Sequence, residues 1–143
     1  MKWKLLGVLA AMIAFSTGLK AQDDPFLGVW ELKTPAQTQI LITVPAPGGF
    51  TDLRIRIDSD NKSSSESHPV AFDGKPYQTT GGDARLISYK RIDANTMERT
   101  VNRNGKITVD TEQVSKDGKT LTLKQATGER VYTKLFSVQE LPH

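Results

Sequence analysis

The chain has 143 residues, no cysteine and a formal net charge of +3. Lys2, Lys4 and Lys20 lie in the first 21 residues, which hold no acidic side chain. Residues 22–143 therefore contain 16 of the 19 Lys and Arg and all 16 Asp and Glu, and their net charge is zero. A neutral domain argues against nucleic acid or anionic lipid as the partner, because both reward a basic surface. The absence of cysteine excludes disulfides, thiolate metal sites and cysteine nucleophiles.

Residues 1–21 have the pattern of a cleavable signal peptide: a basic start, an apolar run over 5–15 and small residues before the cut. Cleavage is expected after Ala21, with Gly18 as the alternative. The apolar run is too short to span a bilayer, which needs about 20 residues, so no membrane anchor is expected after cleavage. The sequence predicts a periplasmic or secreted protein whose residues 22–143 form one domain.

Alternation with a period of two begins soon after the signal. QILITV (39–44) and LRIRID (53–58) each place apolar side chains on one face and mainly polar ones on the other. This pattern predicts half-buried antiparallel strands. Strands are expected over 27–34, 38–45, 50–58, 64–72, 83–92, 95–103, 106–115, 119–126 and 129–138.

Turn residues separate these strands. VNRNGKITV (101–109) and VSKDGKTLTL (114–123) place Asn-Gly or Asp-Gly between strand-like flanks, and VAFDGKPY (70–77) does the same. No stretch has the spacing of a long amphipathic helix. The sequence therefore predicts an all-β fold, an antiparallel up-and-down barrel of eight or nine strands; a two-sheet sandwich is the alternative.

A barrel of this size can hold one small ligand or fill itself with side chains. Ser88, Thr111 and Gln113 are expected on inner faces, which favours a lumen that is not packed with hydrocarbon alone.

FLGVWELK (26–33) resembles the Gly-x-Trp first strand of the calycins, the superfamily of lipocalins and fatty-acid-binding proteins. The resemblance implies that Trp30 closes one end of the barrel. It also implies that Arg130 and Tyr132, an Arg-x-Tyr pair on the last strand, form a carboxylate clamp in the lumen. The stretch 73–123 is similar to small secreted bacterial lipocalin-like proteins of no known activity.

Each of these residues has an alternative interpretation. Trp30 could stack on a ligand instead of plugging the barrel. Arg130 could cover Trp30 through a cation–π contact or face solvent. Lys134 lies on the same strand face as Arg130, and a lumen that holds both cations would be costly.

Catalytic and metal sites are not predicted. His68 and His143 are the only histidines, and the serines next to His68 alternate between strand faces instead of converging on it. DSDNKS (58–63) starts like a Ca²⁺ loop but has Ser63 where the loop requires Gly. No cofactor is expected.

The sequence thus predicts an exported, monomeric, non-enzymatic protein that binds a small, mostly apolar ligand, which can carry a carboxylate. A protein–protein or inhibitor module with a filled barrel is the alternative, and an exposed apolar patch would favour it. An enzyme would require a buried acid–base pair, and a shifted carboxylate pKa in the lumen would point to one.

Overall fold

Ten antiparallel strands form one sheet in the computed structural model, which describes residues 24–138. Every predicted strand has a counterpart, and a two-residue strand is added to them. The strands are β1 (Gly28–Lys33), β2 (Gln37–Ala46), β3 (Gly49–Asp58), β4 (Ser63–Ala71), β5 (Tyr77–Gln78), β6 (Leu86–Asp93), β7 (Thr96–Arg103), β8 (Lys106–Val114), β9 (Thr120–Gln125) and β10 (Gly128–Phe136).

The sheet curls into an up-and-down barrel. Its strand order is β4-β3-β2-β1-β10-β9-β8-β7-β6-β5, so each strand pairs with its neighbour in sequence and the first strand pairs with the last. The two ends of the sheet meet at Ser67 and Thr80, whose backbone N–H groups each donate to the other's carbonyl oxygen at 2.8 Å. The predicted all-β antiparallel barrel is confirmed, with ten strands instead of eight or nine.

The predicted signal peptide and both candidate cleavage sites lie outside the described residues, as does His143. Within residues 24–138 there is no helix that is long and apolar enough to cross a bilayer.

The alternation in β2 and β3 is present, but its polar face lies inside. Gln39 and Thr43 of β2 and Asp52 and Arg54 of β3 are buried, whereas Leu53 is exposed. In a half-buried strand the apolar face ordinarily covers the core, so the orientation of these strands is the reverse of the usual one.

Two buried anchors explain this orientation. Leu41 and Phe50 point into the barrel, and because side chains two apart share a face, they carry Gln39 and Asp52 inward with them. On the outer surface Ile40 lies opposite Ile55 across the β2–β3 pair, and such cross-strand pairs stabilise a sheet by covering one another.

The expectation for Ser88, Thr111 and Gln113 is wrong. They alternate with the buried Tyr89 and Glu112 and lie on the outer faces of β6 and β8. The lumen does contain polar groups, but it draws them from other positions. The buried polar residues are Gln39, Thr43, Asp52, Arg54, His68, Thr79, Arg99, Asp110 and Glu112.

The barrel has two unlike halves. The closed half is the end filled by apolar side chains, among them Phe26, Leu27, Trp30, Phe50, Val70, Met97, Val114 and Leu121. The open half is the opposite end, where the β3–β4, β7–β8 and β9–β10 turns surround a cavity. The apolar core therefore occupies only part of the interior.

Gly28 marks the entry of the chain into the closed half. Its φ of +137° is a conformation that side chains rarely adopt, and a Cβ there would collide with the carbonyl oxygen of Phe136 on β10. The β1–β10 register shifts between Val29 and Trp30. The glycine of the Gly-x-Trp motif thus allows the first and last strands to approach closely where the barrel closes.

Candidate functional site

A cavity of about 600 Å³ opens at the end of the barrel away from Trp30. Seven of its lining residues are basic and three are acidic, and Val101 and Leu123 are the large apolar ones. The charged residues are Arg54, Arg56, Arg85, Arg99, Arg103, Lys106 and Arg130 against Glu66, Asp83 and Asp110.

The first group of charges in the wall is centred on Glu66. One oxygen of this carboxylate pairs with Arg85 and lies 3.6 Å from Nη1 of Arg54. The side chains of all three residues are nearly buried. Because a buried carboxylate is costly unless it is paired, the two arginines stabilise Glu66 where β4 borders the cavity.

The second group is centred on Arg99. Its Nε and Nη2 donate to one oxygen of Asp110 at 3.2 and 2.6 Å, and its Nη1 lies 3.4 Å from Glu112. Gln125 also donates to Asp110, at 3.4 Å. Burial acts to lower the pKa of Arg99, but the charges of Glu112 and Tyr89 and the hydrogen bond to Asp110 raise it above its ordinary value. Arg99 therefore stays charged.

These two groups balance in charge: their three arginines match Glu66, Asp110 and Glu112. The basic excess lies instead on the basic rim, which we define as Arg56, Arg103, Lys106 and Arg130. Of these, Arg103 has Asp83 at 3.7 Å, and the other three have no carboxylate within ion-pair distance among residues 24–138. The mouth of the cavity therefore attracts anions.

Beneath these groups lies a buried acid–base pair. Oδ2 of Asp52 is 3.7 Å from Nε2 of His68, and Thr43 donates its hydroxyl hydrogen to Oδ1 of Asp52 at 2.8 Å. Nε2 of His68 also lies 2.9 Å from the hydroxyl of Tyr89, whose ring stacks on the imidazole. Asp52 and His68 are 2% exposed.

The environment shifts the pKa of both members of this pair. Burial, with the nearby charge of Glu112, raises the pKa of Asp52 from 3.8 to about 7. Burial, with the charges of Arg54, Arg99 and Arg85, lowers the pKa of His68 from 6.5 to about 3. The pair that the enzyme hypothesis requires is present, but neither residue lines the cavity.

The sequence contained a signal for this pair. Asp52 and His68 are direct partners in the β3–β4 register, as are Arg54 and Glu66. A correct register through the turn at 59–62 would have placed both pairs opposite each other. The alternation in LRIRID (53–58) hides this signal, because it places Arg54 on the polar face, which ordinarily meets solvent.

Arg130 lies on the inner face of β10, partly buried, and lines the cavity. It is one of the rim residues without a carboxylate partner in the described part of the chain. This position is compatible with the predicted anion contact.

Tyr132 and Trp30 lie deeper than Arg130 and do not line the cavity. The hydroxyl of Tyr132 donates to Oε1 of Gln39 at 2.9 Å, and Nε1 of Trp30 donates to the carbonyl oxygen of Phe26 at 3.0 Å. Trp30 is fully buried in the closed half, which is the location that a plug requires. The three predicted site residues therefore do not converge on one point.

Lys134 makes the contact considered for Arg130. Its Nζ lies 4.4 Å from the centre of the Trp30 ring and donates to the carbonyl oxygen of Pro25 at 3.1 Å. The alternative in which Arg130 covers Trp30 is therefore wrong. The barrel accommodates both cations because they lie in different places: Lys134 lies over Trp30 in the closed half, and Arg130 lines the cavity of the open half.

One solved structure has a similar fold. It is a fatty acid binding protein of Schistosoma mansoni in complex with arachidonic acid; the TM-score is 0.55, the sequence identity is 14%, and the match covers 80% of this chain and 98% of that one. No family model and no curated protein matches the chain. At this identity the likeness shows the fold alone, an antiparallel barrel like that of the fatty acid binding protein.

Proposed function

We propose that the protein is a non-enzymatic binding protein that holds a small ligand with at least one anionic group in the open half of its barrel. The observation that carries this proposal is the cavity of about 600 Å³ with seven basic and three acidic side chains in its wall. Small-molecule sites commonly measure about 300–1,000 Å³. A guanidinium also suits a carboxylate, because it can offer two parallel donors.

Arg130 is the residue that we assign to the anionic group. Its inward position and its lack of a carboxylate partner among the described residues leave its guanidinium available to a ligand. Tyr132 would support the floor of the site through Gln39, and Trp30 would act as the plug of the closed half.

The apolar part of the ligand would be small. Among residues 24–138, Val101 and Leu123 are the only large apolar side chains in the cavity wall, which departs from the mostly apolar ligand that the sequence predicts. A long hydrocarbon chain would have to displace packed side chains of the closed half, such as Leu121 and Met97.

Binding of matched ligands to Arg130→Ala tests the proposal. We expect a carboxylate such as octanoate to lose about tenfold in affinity by titration calorimetry, or roughly 1.4 kcal/mol, while its methyl ester loses little. Lys124→Ala is the matched control, because Lys124 is an exposed cation near the same end of the barrel on β9. Equal losses for acid and ester would reduce Arg130 to a packing residue.

Native mass spectrometry of the protein purified from its own host gives an independent test. A stoichiometric adduct of a few hundred daltons would identify the class of the ligand. An adduct without any acidic group would contradict the proposal.

We further propose that the protein is a bacterial export product, related to secreted lipocalin-like proteins, that is processed after Ala21 and acts in the periplasm or outside the cell. The supporting observation is the signal-like pattern of residues 1–21. N-terminal sequencing of the protein recovered outside the cytoplasm tests this: Gln22 as the first residue supports it, Leu19 moves the cut to Gly18, and Met1 contradicts it.

A protein–protein contact is the second candidate function, because large apolar side chains are exposed on the barrel. Leu53, Ile57, Ile107, Val109 and Phe136 are among them, and a contiguous apolar patch would mark an interaction site. Sedimentation velocity over a range of concentrations tests its simplest form. A single monomer species supports the predicted monomer, whereas a dimer that Leu53→Asp disrupts would support the outer-face contact.

A further inference from the structure

A cluster of buried titratable side chains lies outside the cavity wall and has no role in holding the ligand as proposed above. Asp52 and His68 face each other across β3 and β4 with their polar atoms 3.7 Å apart, and Tyr89 and Thr43 complete the cluster. Nδ1 of His68 is buried without a hydrogen-bond partner. The pKa of a buried titratable side chain changes when the charge near it changes.

Charged and titratable groups act on this pair from several strands. They are Arg54 on β3, Arg85 before β6, Tyr89 on β6, Arg99 on β7 and Glu112 on β8. Glu66 on β4 and Asp110 on β8 pair with Arg85 and Arg99. Glu112 disfavours ionisation of Asp52, whereas Arg54 and Arg99 favour it. Burial, together with the same arginines, lowers the pKa of His68 and keeps it neutral, and burial raises the pKa of Tyr89 well above its ordinary value.

We propose that Asp52 and His68 form a buried proton site that is linked to anion binding in the cavity, so that the ligand is held at acid to neutral pH and released as the pH rises. This inference rests on the proposed function, because it describes the regulation of the same site.

Arg54 and Arg99 provide the link between the two sites. Both guanidinium groups line the cavity, and both also act on the charge of Asp52. When Asp52 ionises, it places a further negative charge next to the arginines that an anionic ligand approaches. Binding and proton release therefore oppose each other, and the opposition is reciprocal: a bound anion raises the pKa of Asp52 by the amount that ionised Asp52 weakens the anion.

The titration of Asp52 itself is the first test. NMR of the side-chain carboxyl carbon in the folded protein should give a midpoint near 7, since the pKa of Asp52 is raised to about 7. Saturating sulfate, whose own charge is constant from pH 5 to 9, should move that midpoint upward. A midpoint near 4 overturns the proton site, and a midpoint that bound sulfate leaves unmoved overturns the linkage.

The affinity for sulfate gives the second test. In the wild type it should weaken at least threefold between pH 6 and pH 8.5, within the limit of about tenfold per pH unit that one linked proton allows. Asp52→Asn should bind sulfate equally at both pH values. Asp58→Asn, an exposed aspartate on the same strand, should retain the pH dependence of the wild type; loss of the dependence in this control overturns the assignment to Asp52.

The two proposals fail in different ways. If sulfate perturbs no resonance of the cavity residues at any pH, and octanoate does not bind, the proposed function fails, while the carboxyl titration still decides whether Asp52 holds a proton near neutral pH. If anions bind to Arg130 with an affinity that pH does not change, the proposed function stands and the linkage is overturned.

Discussion

The closed and open halves of this barrel are built on opposite principles. In the closed half Trp30, Phe26 and Met97 fill the interior, and Lys134 lies over the Trp30 ring. In the open half the inward side chains are arginines and carboxylates paired across strands, around a cavity. The contrast indicates that hydrophobic burial stabilises the first half, whereas the second depends on matching each buried charge.

The largest expected effect concerns the closed half. Trp30→Ala should lower the free energy of unfolding by about 3–5 kcal/mol, because it leaves a large void next to Phe26 and Leu27. Urea denaturation of wild type, Trp30→Ala and Trp30→Phe measures this, with the phenylalanine variant expected between the other two. A loss below about 1 kcal/mol would mean that Trp30 is not the plug of the closed half.

The next effect concerns the paired charges of the open half. Arg99→Met should lower the free energy of unfolding by about 3 kcal/mol, because Asp110 and Glu112 are then buried without their cation. Adding Asp110→Leu and Glu112→Leu to Arg99→Met should recover most of that loss. If the triple variant is no more stable than Arg99→Met, charge pairing is not what stabilises this half.

The smallest expected effect is the change in the free energy of unfolding with pH. The raised pKa of Asp52 favours the folded state below pH 4, and this stability is lost as the pH rises through 7. The lowered pKa of His68 has the opposite sign, since its stability is present above pH 6.5 and lost as the pH falls toward 3. Between about pH 4 and 6.5 the two contributions change with pH in opposite directions, so the free energy of unfolding changes little with pH.

Asp52→Asn removes one of these contributions and should expose the other. The stability of this variant should fall as the pH drops from 6.5 toward 3, by up to about 1.4 kcal/mol per pH unit, whereas that of the wild type changes little between about pH 4 and 6.5. Urea midpoints at half-unit pH steps measure the difference, and Asp58→Asn is the control. A variant whose own stability stays level across this range would show that His68 is not held neutral by the fold.

The sequence predicted the closed half better than the open half. Alternation and the Asn-Gly and Asp-Gly turns predicted nine of the ten strands, and the Gly-x-Trp stretch predicted the barrel and the position of Trp30. These features are local, since each depends on residues that are close in sequence. The fold class followed from them.

The open half was mispredicted because the inward face of a strand is decided by packing partners that are distant in sequence. LRIRID offered an apolar and a charged face, and the apolar one was the reasonable choice for the interior. Phe50, just before that stretch, settles the orientation by packing in the closed half with Phe72. Arg54 then turns inward, where the carboxylate of Glu66 pairs with its guanidinium.

The pairing of β1 with β10 has a consequence for how the barrel is made. Trp30 lies opposite Lys134 in the sheet, near the other end of the described chain, so the first strand lacks one of its two neighbours until the last strand has been synthesised. Contacts between distant parts of a chain form slowly, because the intervening loop must close first. The β2–β3 and β7–β8 hairpins can form early, but the seam at Gly28 and Phe136 closes last. A chain that leaves the ribosome therefore cannot close its barrel before β10 is available to pair with β1.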